Sequence, residues 1–209
     1  THNLHNLINR HITEPQFRNV PRSILINNWE ATYFTFDGQK ILDIAKKASN
    51  LGIEMMVLDD GWFGKRDKDT EGLGDWHVNE EKLGMPLQEM ISKIKDLGMK
   101  FGIWVEPESI SRQSELYKKH PEWAYTYPGH HPVFSRSQLC LDYGNPEVVD
   151  YMYEKLSKLL RENDISYLKW DITRSIHDWY SPTLPPERQT ELPHRYGLGL
   201  YNLLGRLRK

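Results

Sequence analysis

The motif with the clearest chemical potential is Lys169-Trp170-Asp171, which ends an apolar run in the C-terminal third of the chain. Residues two apart on a strand point to the same side, so Lys169 and Asp171 are expected to share one face, with Trp170 on the other. A nearby ammonium keeps a carboxylate ionised, and an ionised carboxylate can act as a nucleophile. A purely structural Lys–Asp pair would have the same spacing, and the spacing alone does not separate the two interpretations.

Polar and aromatic side chains gather where the apolar runs of the chain end. The set comprises Asn27, Asn28, Trp29, Glu30, Asp59, Asp60, Trp62, Trp104, Glu106, Glu108, Lys169 and Asp171. Aromatic rings stack on the apolar faces of sugars, and carboxylates accept hydrogen bonds from sugar hydroxyls. A carboxylate that faces an anomeric carbon can attack it or stabilise an oxocarbenium-like transition state. The set therefore favours a carbohydrate site over the alternative, a collection of solvated loop charges.

Four apolar, β-prone runs position these residues, and a segment with helical periodicity follows each run. The runs cover residues 24–29, 55–58, 100–105 and 165–170. After the first run, Asp37 can cap a helix. The apolar residues of that helix, at i, i+3, i+4 and i+7, are Ile41, Ile44, Ala45 and Ala48. Alternating strands and helices predict a parallel sheet of βα units, whose carboxyl edge carries the active site in barrels and open sheets alike.

Four such units amount to half of a (β/α)8 barrel, a fold that usually needs about 250 residues. We therefore expect an α/β fold in which residues 1–209 form a single (βα)4 half-barrel. The alternative is an open doubly wound sheet, but no glycine-rich phosphate loop follows the first strand. A half-barrel leaves two sheet edges open. We expect it either to collapse around its own core or to complete an eight-stranded barrel as a symmetric homodimer.

The composition argues against several other classes of protein. Hydrophobic residues make up 38% of the chain and aromatic residues 11%, which is too much for a disordered segment. No apolar run approaches the roughly 20 residues of a membrane-spanning helix. The net charge of −2, from 27 basic and 29 acidic residues, predicts no nucleic-acid partner. Cys140 is the single cysteine, which excludes an internal disulfide framework and fits a reducing compartment.

Other charged groups are expected to have local roles. His130-His131 has no carboxylate-rich partner at ligand spacing, so no metal site is predicted. The mixed-charge run over residues 65–69 is expected to be a solvated loop. Glu106 is expected to orient pocket side chains, and Glu108 to cap the segment that follows it.

Taken in order, the motifs resemble those of family 36 glycoside hydrolases, the bacterial, melibiase-like α-galactosidases. They are Asn27-Asn28-Trp29-Glu30, Leu58-Asp59-Asp60-Gly61-Trp62, Leu73-Gly74-Asp75-Trp76, Glu106-Pro107-Glu108, Ser135-Arg136 and Lys169-Trp170-Asp171. The resemblance covers nearly the whole chain and corresponds to the N-terminal half of the family's catalytic barrel. It implies retaining hydrolysis of terminal α-linked galactose, as in melibiose or raffinose, with no cofactor.

The resemblance also implies roles for individual residues. Asp171 matches the catalytic nucleophile of the family. Asp59 and Asp60 match paired aspartates that hold galactose hydroxyls. Lys169 matches a lysine that contacts the galactosyl hydroxyls. Trp104 and Arg136 match residues that line the pocket, and Trp29 matches a tryptophan near the pocket mouth.

Two departures from the family pattern change what is expected of this chain. The family's acid/base aspartate lies on a later strand, and nothing in this chain matches it. A retaining mechanism needs two carboxyls about 5 Å apart, and general acid catalysis contributes ~10²–10⁴-fold. The usual Met-Asn-Arg after the nucleophile motif is replaced by Ile172-Thr173-Arg174. Thr173 is assigned to the substrate-binding set, although its side chain is shorter than that of the usual asparagine.

Two functions follow from these expectations. The first is a catalytic-domain segment of a retaining α-galactosidase that carries the nucleophile, lacks the acid/base and is inactive alone. The alternative is an engineered, non-catalytic half-barrel that self-associates and binds sugar weakly. The expected partners are an α-galactoside and a second copy of the chain, with neither nucleic acid nor membrane. The resemblance, together with the absence of a signal-peptide pattern in the first residues, implies a cytoplasmic location.

Overall fold

The structure is a computed structural model that describes residues 1–134, 136–172 and 175–208. Its strands are β1 (Leu25–Asn27), β2 (Met55–Leu58), β3 (Lys100–Val105), β4 (Ser109–Ile110), β5 (Leu139–Cys140) and β6 (Tyr167–Trp170). Four of them form a parallel sheet in the order β1-β2-β3-β6, and β4 pairs with β5 in an antiparallel ladder. The expected α/β fold with a parallel sheet is therefore confirmed.

Helices connect the parallel strands. The α-helices are α1 (His2–Leu7), α2 (Trp29–Thr32), α3 (Gly38–Ser49), α4 (Glu80–Leu83), α5 (Leu87–Asp96), α6 (Glu115–Lys119), α7 (Pro146–Glu162) and α8 (Leu192–Leu207). A π-helical segment spans Ile8–Ile12, and 3₁₀ segments span Pro15–Phe17, Pro121–Trp123 and Pro186–Glu191. Helices α3, α5, α7 and α8 each follow one strand of the sheet, which gives four consecutive βα units. Within the described residues, no helix has both the length and the apolar character required to cross a bilayer.

The starts of the long helices follow from local side-chain chemistry. Asp37 caps α3 by accepting a hydrogen bond from the backbone N–H of Lys40 at 2.7 Å. Asn145 caps α7 in the same way, with the N–H of Glu147 as donor at 3.0 Å. Pro146 follows in the first turn of α7, where its missing N–H would have no partner within the helix.

The main core lies between the sheet and the helices. Alternate strand residues point to opposite faces, and one face of the sheet contributes Met56, Leu58, Phe101 and Ile103, all buried. The buried helix residues that pack in the same cluster include Ile41, Ala45, Met90, Ile94, Met152 and Leu156. Burying such a side chain stabilises the fold by about 1.5–3 kcal/mol. The helix layer thus fixes the sheet and leaves the carboxyl ends of its strands available for polar residues.

The first strand ends earlier than its apolar run indicates. The sequence predicts a strand over residues 24–29, but β1 stops at Asn27. The side-chain amide of Asn28 donates to the Thr32 hydroxyl at 2.9 Å, and the chain turns there into the short helix α2. This turn places Trp29 at the start of α2, beyond the end of the strand.

Helix α8 packs closely against the rest of the molecule at Gly199. A Cβ atom on Gly199 would overlap the backbone carbonyl oxygen of Tyr143 and would lie 3.3 Å from Val149 of α7. Gly205, in the same helix, has open space at the corresponding position. The absence of a side chain at residue 199 therefore sets the distance at which α8 packs.

We expect Gly199→Ala to lower the free energy of unfolding by about 1–3 kcal/mol, because the added methyl group overpacks the contact with Tyr143. The matched control Gly205→Ala should raise it by up to about 1 kcal/mol, since alanine has the higher helix propensity. Urea unfolding followed by circular dichroism measures both changes. Equal stabilities of the two variants would contradict the close packing of α8.

Candidate active site

Polar side chains from all four parallel strands meet at the carboxyl edge of the sheet. Lys169 of β6 reaches across the end of β3, and its Nζ lies 2.7 Å from Oδ2 of Asp59, which follows β2. The side-chain amide of Asn27, the last residue of β1, donates to the same Oδ2 atom. The edge therefore brings together groups that are more than 100 residues apart in the chain, as the parallel arrangement predicts.

Asp59 and Asp60 are adjacent in sequence but have different surroundings. Asp59 is buried and contacts Lys169 and Asn27, and its backbone N–H donates to the Asn28 side chain at 2.8 Å. Asp60 is paired with Arg66, whose Nε and Nη2 lie 3.0 and 2.7 Å from its two carboxylate oxygens. Burial raises the pKa of Asp60, and the guanidinium opposes that rise. One carboxylate thus faces the other strands, while its neighbour is fixed by a loop.

Arg66 is a residue that the sequence interpretation misassigned. The expected solvated loop over residues 65–69 is confirmed for Lys65, Asp67, Lys68 and Asp69, which are exposed, but the side chain of Arg66 is completely buried. Besides Asp60, it bonds the backbone carbonyls of Lys68, Asp69 and Glu71 at 3.2, 2.9 and 2.8 Å. A buried carboxylate needs a cation or several hydrogen-bond donors beside it. If Asp60 is taken to be buried, this requirement points to Arg66, six positions later, as its partner.

Asp171 is held by β3 rather than by Lys169. Its backbone N–H donates to the carbonyl of Val105 at 2.8 Å, and its Oδ2 accepts from the indole N–H of Trp104 at 3.0 Å. Trp104 is itself fixed, because Trp62 donates to its carbonyl at 2.9 Å and Phe63 stacks on its ring with the planes 13° apart. The spacing argument expected the ammonium of Lys169 to act on Asp171, whereas the ammonium bonds Asp59. Asp171 therefore takes its orientation from a rigid indole.

Two buried glutamates, Glu106 and Glu108, follow β3 at the carboxyl edge of the sheet. Glu106 is fully buried, its Oε1 accepts from the Ser109 hydroxyl at 2.8 Å, and burial, reinforced by the charge of Asp171, raises its pKa to about 7. Glu108 accepts hydrogen bonds from the side chains of Trp170 and Tyr196. Glu108 was expected to cap the following segment, but its carboxylate contacts a strand and a helix that are distant in sequence.

The remaining predicted residues lie at the margin of this cluster. Trp29 is half-buried, its backbone N–H donates to the Asn27 side chain at 2.8 Å, and its ring makes edge contacts with Tyr33 and Phe34 at 5.2 and 5.1 Å between centroids. Arg136 is partly exposed, with Nη2 3.4 Å from Oδ1 of Asp69. Thr173, assigned to the substrate-binding set, lies outside the described residues.

The arrangement suits a neutral, hydroxyl-rich ligand. Carboxylates of Asp59 and Asp60 can accept hydrogen bonds from hydroxyls, and the partly exposed Lys169 ammonium can donate. Trp104 is buried and orients the Asp171 carboxylate through its indole N–H. Among residues 1–134, 136–172 and 175–208, no group of three or more His, Cys, Asp and Glu side chains could hold a metal ion.

Comparisons with known proteins find a matching family model and several relatives of high sequence identity. A family model described as Melibiase matches residues 1–209. "Alpha-galactosidase AgaA" of Geobacillus stearothermophilus is 49% identical over 200 residues, which are 96% of this chain and 27% of that protein. "Alpha-galactosidase 1" of Pediococcus pentosaceus is 48% identical over 203 residues, 97% of this chain and 28% of that protein. The chain thus spans little more than a quarter of the length of these relatives.

Solved structures of two α-galactosidases superpose closely on this chain. The crystal structure of the GH36 α-galactosidase AgaA from Geobacillus stearothermophilus in complex with raffinose superposes with a TM-score of 0.94 at 48% identity. The alignment covers 97% of this chain and 28% of that one. The α-galactosidase from Lactobacillus brevis has a TM-score of 0.94 at 44% identity, over 98% of this chain and 28% of its own.

The raised pKa of Glu106 predicts a pH dependence of stability. The carboxyl of Glu106 has an ordinary pKa of 4.5 in the unfolded chain and a pKa of about 7 in the folded chain, so the folded state binds more protons between these pH values. The free energy of unfolding should therefore fall by up to about 3 kcal/mol between pH 4.5 and 7. Glu106→Gln should remove most of this decline, measured by urea unfolding at successive pH values.

The matched control for this experiment is Glu115→Gln. The pKa of the exposed Glu115 is lowered, first by its hydrogen bond with Lys118, so this carboxyl is ionised throughout the pH range that matters for Glu106. Its removal should leave the slope between pH 5 and 7 unchanged. A wild-type slope that persists in Glu106→Gln would rule out Glu106 as its source.

Proposed function

The chain belongs to the melibiase family, the family 36 glycoside hydrolases, and on this basis we propose that it carries the nucleophile half of a retaining α-galactosidase active site. The observation that supports the proposal most directly is the position of Asp171. Its carboxylate accepts from Trp104 at the same sheet edge where Lys169 bonds Asp59. In this proposal, residues 1–209 form one half-barrel segment of a catalytic domain.

Each residue of the cluster has a proposed role toward a galactosyl group. Asp171 attacks the anomeric carbon and forms a glycosyl ester as the leaving oxygen departs. Asp59, Asp60 and Lys169 hold the sugar hydroxyls. The residues proposed to complete the pocket wall are Trp104, Arg136, Trp29 and Thr173. Arg66 keeps Asp60 in place as a positioning residue, because its fork fixes both carboxylate oxygens.

The substrate class of the proposal is α-linked galactosides. Structures of the Geobacillus relative are described in complex with raffinose and with stachyose. We propose that this chain takes the terminal α-galactosyl group of such sugars, without a cofactor. The cytoplasmic location expected from the sequence stays a prediction.

The proposed weakness of the chain is protonation of the leaving group. No residue of the sequence matches the family's acid/base aspartate, so an alkoxide leaving group would depart without a proton. General acid catalysis contributes ~10²–10⁴-fold, and the loss is largest for poor leaving groups. We therefore propose that this chain alone cleaves natural galactosides very slowly and activated galactosides faster.

The nucleophile assignment predicts a specific dependence on the leaving group. The chain should release fluoride from α-galactosyl fluoride and p-nitrophenol from p-nitrophenyl α-galactoside, whose leaving groups need little or no protonation, and only background galactose from raffinose, whose leaving group is an alkoxide. Asp171→Asn should lower fluoride release by roughly 10³-fold or more. An ion-selective electrode measures fluoride directly. Equal rates in the chain and in Asp171→Asn would remove the enzymatic proposal.

A second candidate function is a self-associating scaffold with weak sugar affinity. The observation in its favour is the exposure of Leu25 and Tyr167, at 42% and 40%, on the two outer strands of the sheet. Sheet edges with exposed apolar residues are prone to pair with another chain. A symmetric dimer of half-barrels would cover both edges at once.

Self-association predicts a molar mass of about twice 24.7 kDa for the chain in solution, with a return toward 24.7 kDa in Leu25→Lys/Tyr167→Lys. Added charges at a strand edge oppose pairing, which is the reason for the expected dissociation. Multi-angle light scattering measures the mass. A wild-type chain that is monomeric at millimolar concentration would contradict the scaffold proposal and leave the nucleophile assignment untouched.

A further inference from the structure

Trp170 connects the strand that bears Asp171 to the opposite side of the sheet. Because side chains alternate along β6, Lys169 and Asp171 face the candidate site while Trp170 faces the helices. Its indole N–H donates to Oε1 of Glu108 at 2.7 Å. Trp170 and Asp171 share a peptide bond, so a shift of the indole also shifts the carboxylate that follows it.

Glu108 joins three parts of the molecule through one carboxylate. It follows β3, its Oε1 receives Trp170 of β6, and its Oε2 receives the hydroxyl of Tyr196 from α8. Its backbone is also fixed, because the N–H of Leu141 donates to its carbonyl at 3.0 Å. The side chain therefore sits at the junction of the third strand, the fourth strand and the last helix.

The burial of Glu108 makes an ionised carboxylate at this position energetically unfavourable. The residue is 3% exposed, and in the described part of the chain its carboxylate is bonded by two neutral donors and paired with no cation. Burial raises its pKa, and the hydrogen bond from Trp170 opposes that rise. Apolar side chains of similar volume commonly stabilise such a position better than a buried charged group does. A role beyond stability accounts for the carboxylate.

We propose that Glu108 is a positioning residue that, through Trp170, holds the end of β6 so that Asp171 points at the anomeric carbon of the substrate. The inference rests on the proposed role of Asp171 as nucleophile. It adds a third restraint to the two that act on Asp171 itself, the backbone bond to Val105 and the indole of Trp104. Because a displacement of about 1 Å in a reacting group can cost 10²-fold in rate, the restraint acts on kcat more than on substrate binding.

The test compares fluoride release from α-galactosyl fluoride by the wild-type chain, Glu108→Gln, Trp170→Phe and the double variant. Each single variant should lower kcat by roughly 10–100-fold with KM within about 3-fold. The double variant should be no slower than the slower single variant, because both changes act on the same hydrogen bond: Gln replaces its charged acceptor with a weaker neutral one, and Phe removes its donor. Additive losses, or an unchanged kcat in Glu108→Gln, would overturn the proposal.

Tyr143→Phe is the matched control for a general loss of stability. The Tyr143 hydroxyl is buried and donates to the carbonyl of Pro107 at 2.8 Å, next to Glu108, whereas the hydrogen bond of Glu108 to β6 comes from Trp170. This variant should lose stability, measured by urea unfolding, to a similar extent as Glu108→Gln while keeping its kcat. A drop of kcat in Tyr143→Phe as large as in Glu108→Gln would assign the effect to packing and reject positioning.

A wild-type chain that releases fluoride too slowly for kcat and KM to be separated is tested by binding as well. The probe is 1-deoxygalactonojirimycin, a galactose-shaped base whose ammonium is expected to pair with the nucleophile carboxylate, and isothermal titration calorimetry measures its affinity. Positioning predicts at least about tenfold weaker binding in Glu108→Gln and unchanged binding in Tyr143→Phe. Equal affinities would overturn the role of Glu108 alone, whereas no binding by the wild type would overturn the proposed function itself.

Discussion

The ion pair between Lys169 and Asp59 is the contact on which the candidate site depends. It joins β6 to β2, which are not neighbours, across the end of β3. The pair can form only because the three strands run in one direction with their ends at the same level, in a register that places Trp104 opposite Lys169. The helix layer behind the sheet supplies the apolar burial that holds this alignment. Because the strands are aligned in this way, Asp171 and Asp59 lie at the same edge of the sheet.

This edge of the sheet is built from groups that burial disfavours. Burial raises the pKa of Asp60, Glu106 and Glu108, and each of them is held by a different donor. The guanidinium of Arg66 bonds Asp60, and the hydroxyl of Ser109 donates to Glu106. The indole of Trp170 and the hydroxyl of Tyr196 donate to Glu108. A core selected for stability alone would place apolar residues at such positions. Perturbed carboxyls concentrated at the carboxyl edge of a parallel sheet are typical of functional sites.

The sequence predicts the elements of this fold well and the partners of its polar groups poorly. Strand runs and helical periodicity are local patterns, so the four βα units could be predicted from them, together with the carboxyl edge where the chemistry collects. Lys169 was expected to act on Asp171 but bonds Asp59, because strand stagger and twist decide which carboxylate the ammonium reaches. Arg66 and Glu108 were assigned to a solvated loop and a local cap. Arg66 pairs with the buried Asp60, and Glu108 accepts from Tyr196, which lies 88 residues further along the chain. Spacing along the sequence does not predict such contacts.

The central claim is that Asp171 and the Asp59–Lys169 pair serve one galactosyl group. The most direct measurement is mass spectrometry of the chain after incubation with 5-fluoro-α-galactosyl fluoride, which forms a long-lived ester with an attacking carboxylate. The account predicts one added fluorogalactosyl group on the peptide that contains Asp171, with labelling suppressed by excess galactose and greatly slowed in Lys169→Met. Labelling of a different carboxylate, or labelling of Asp171 that is indifferent to galactose and to residue 169, would contradict it.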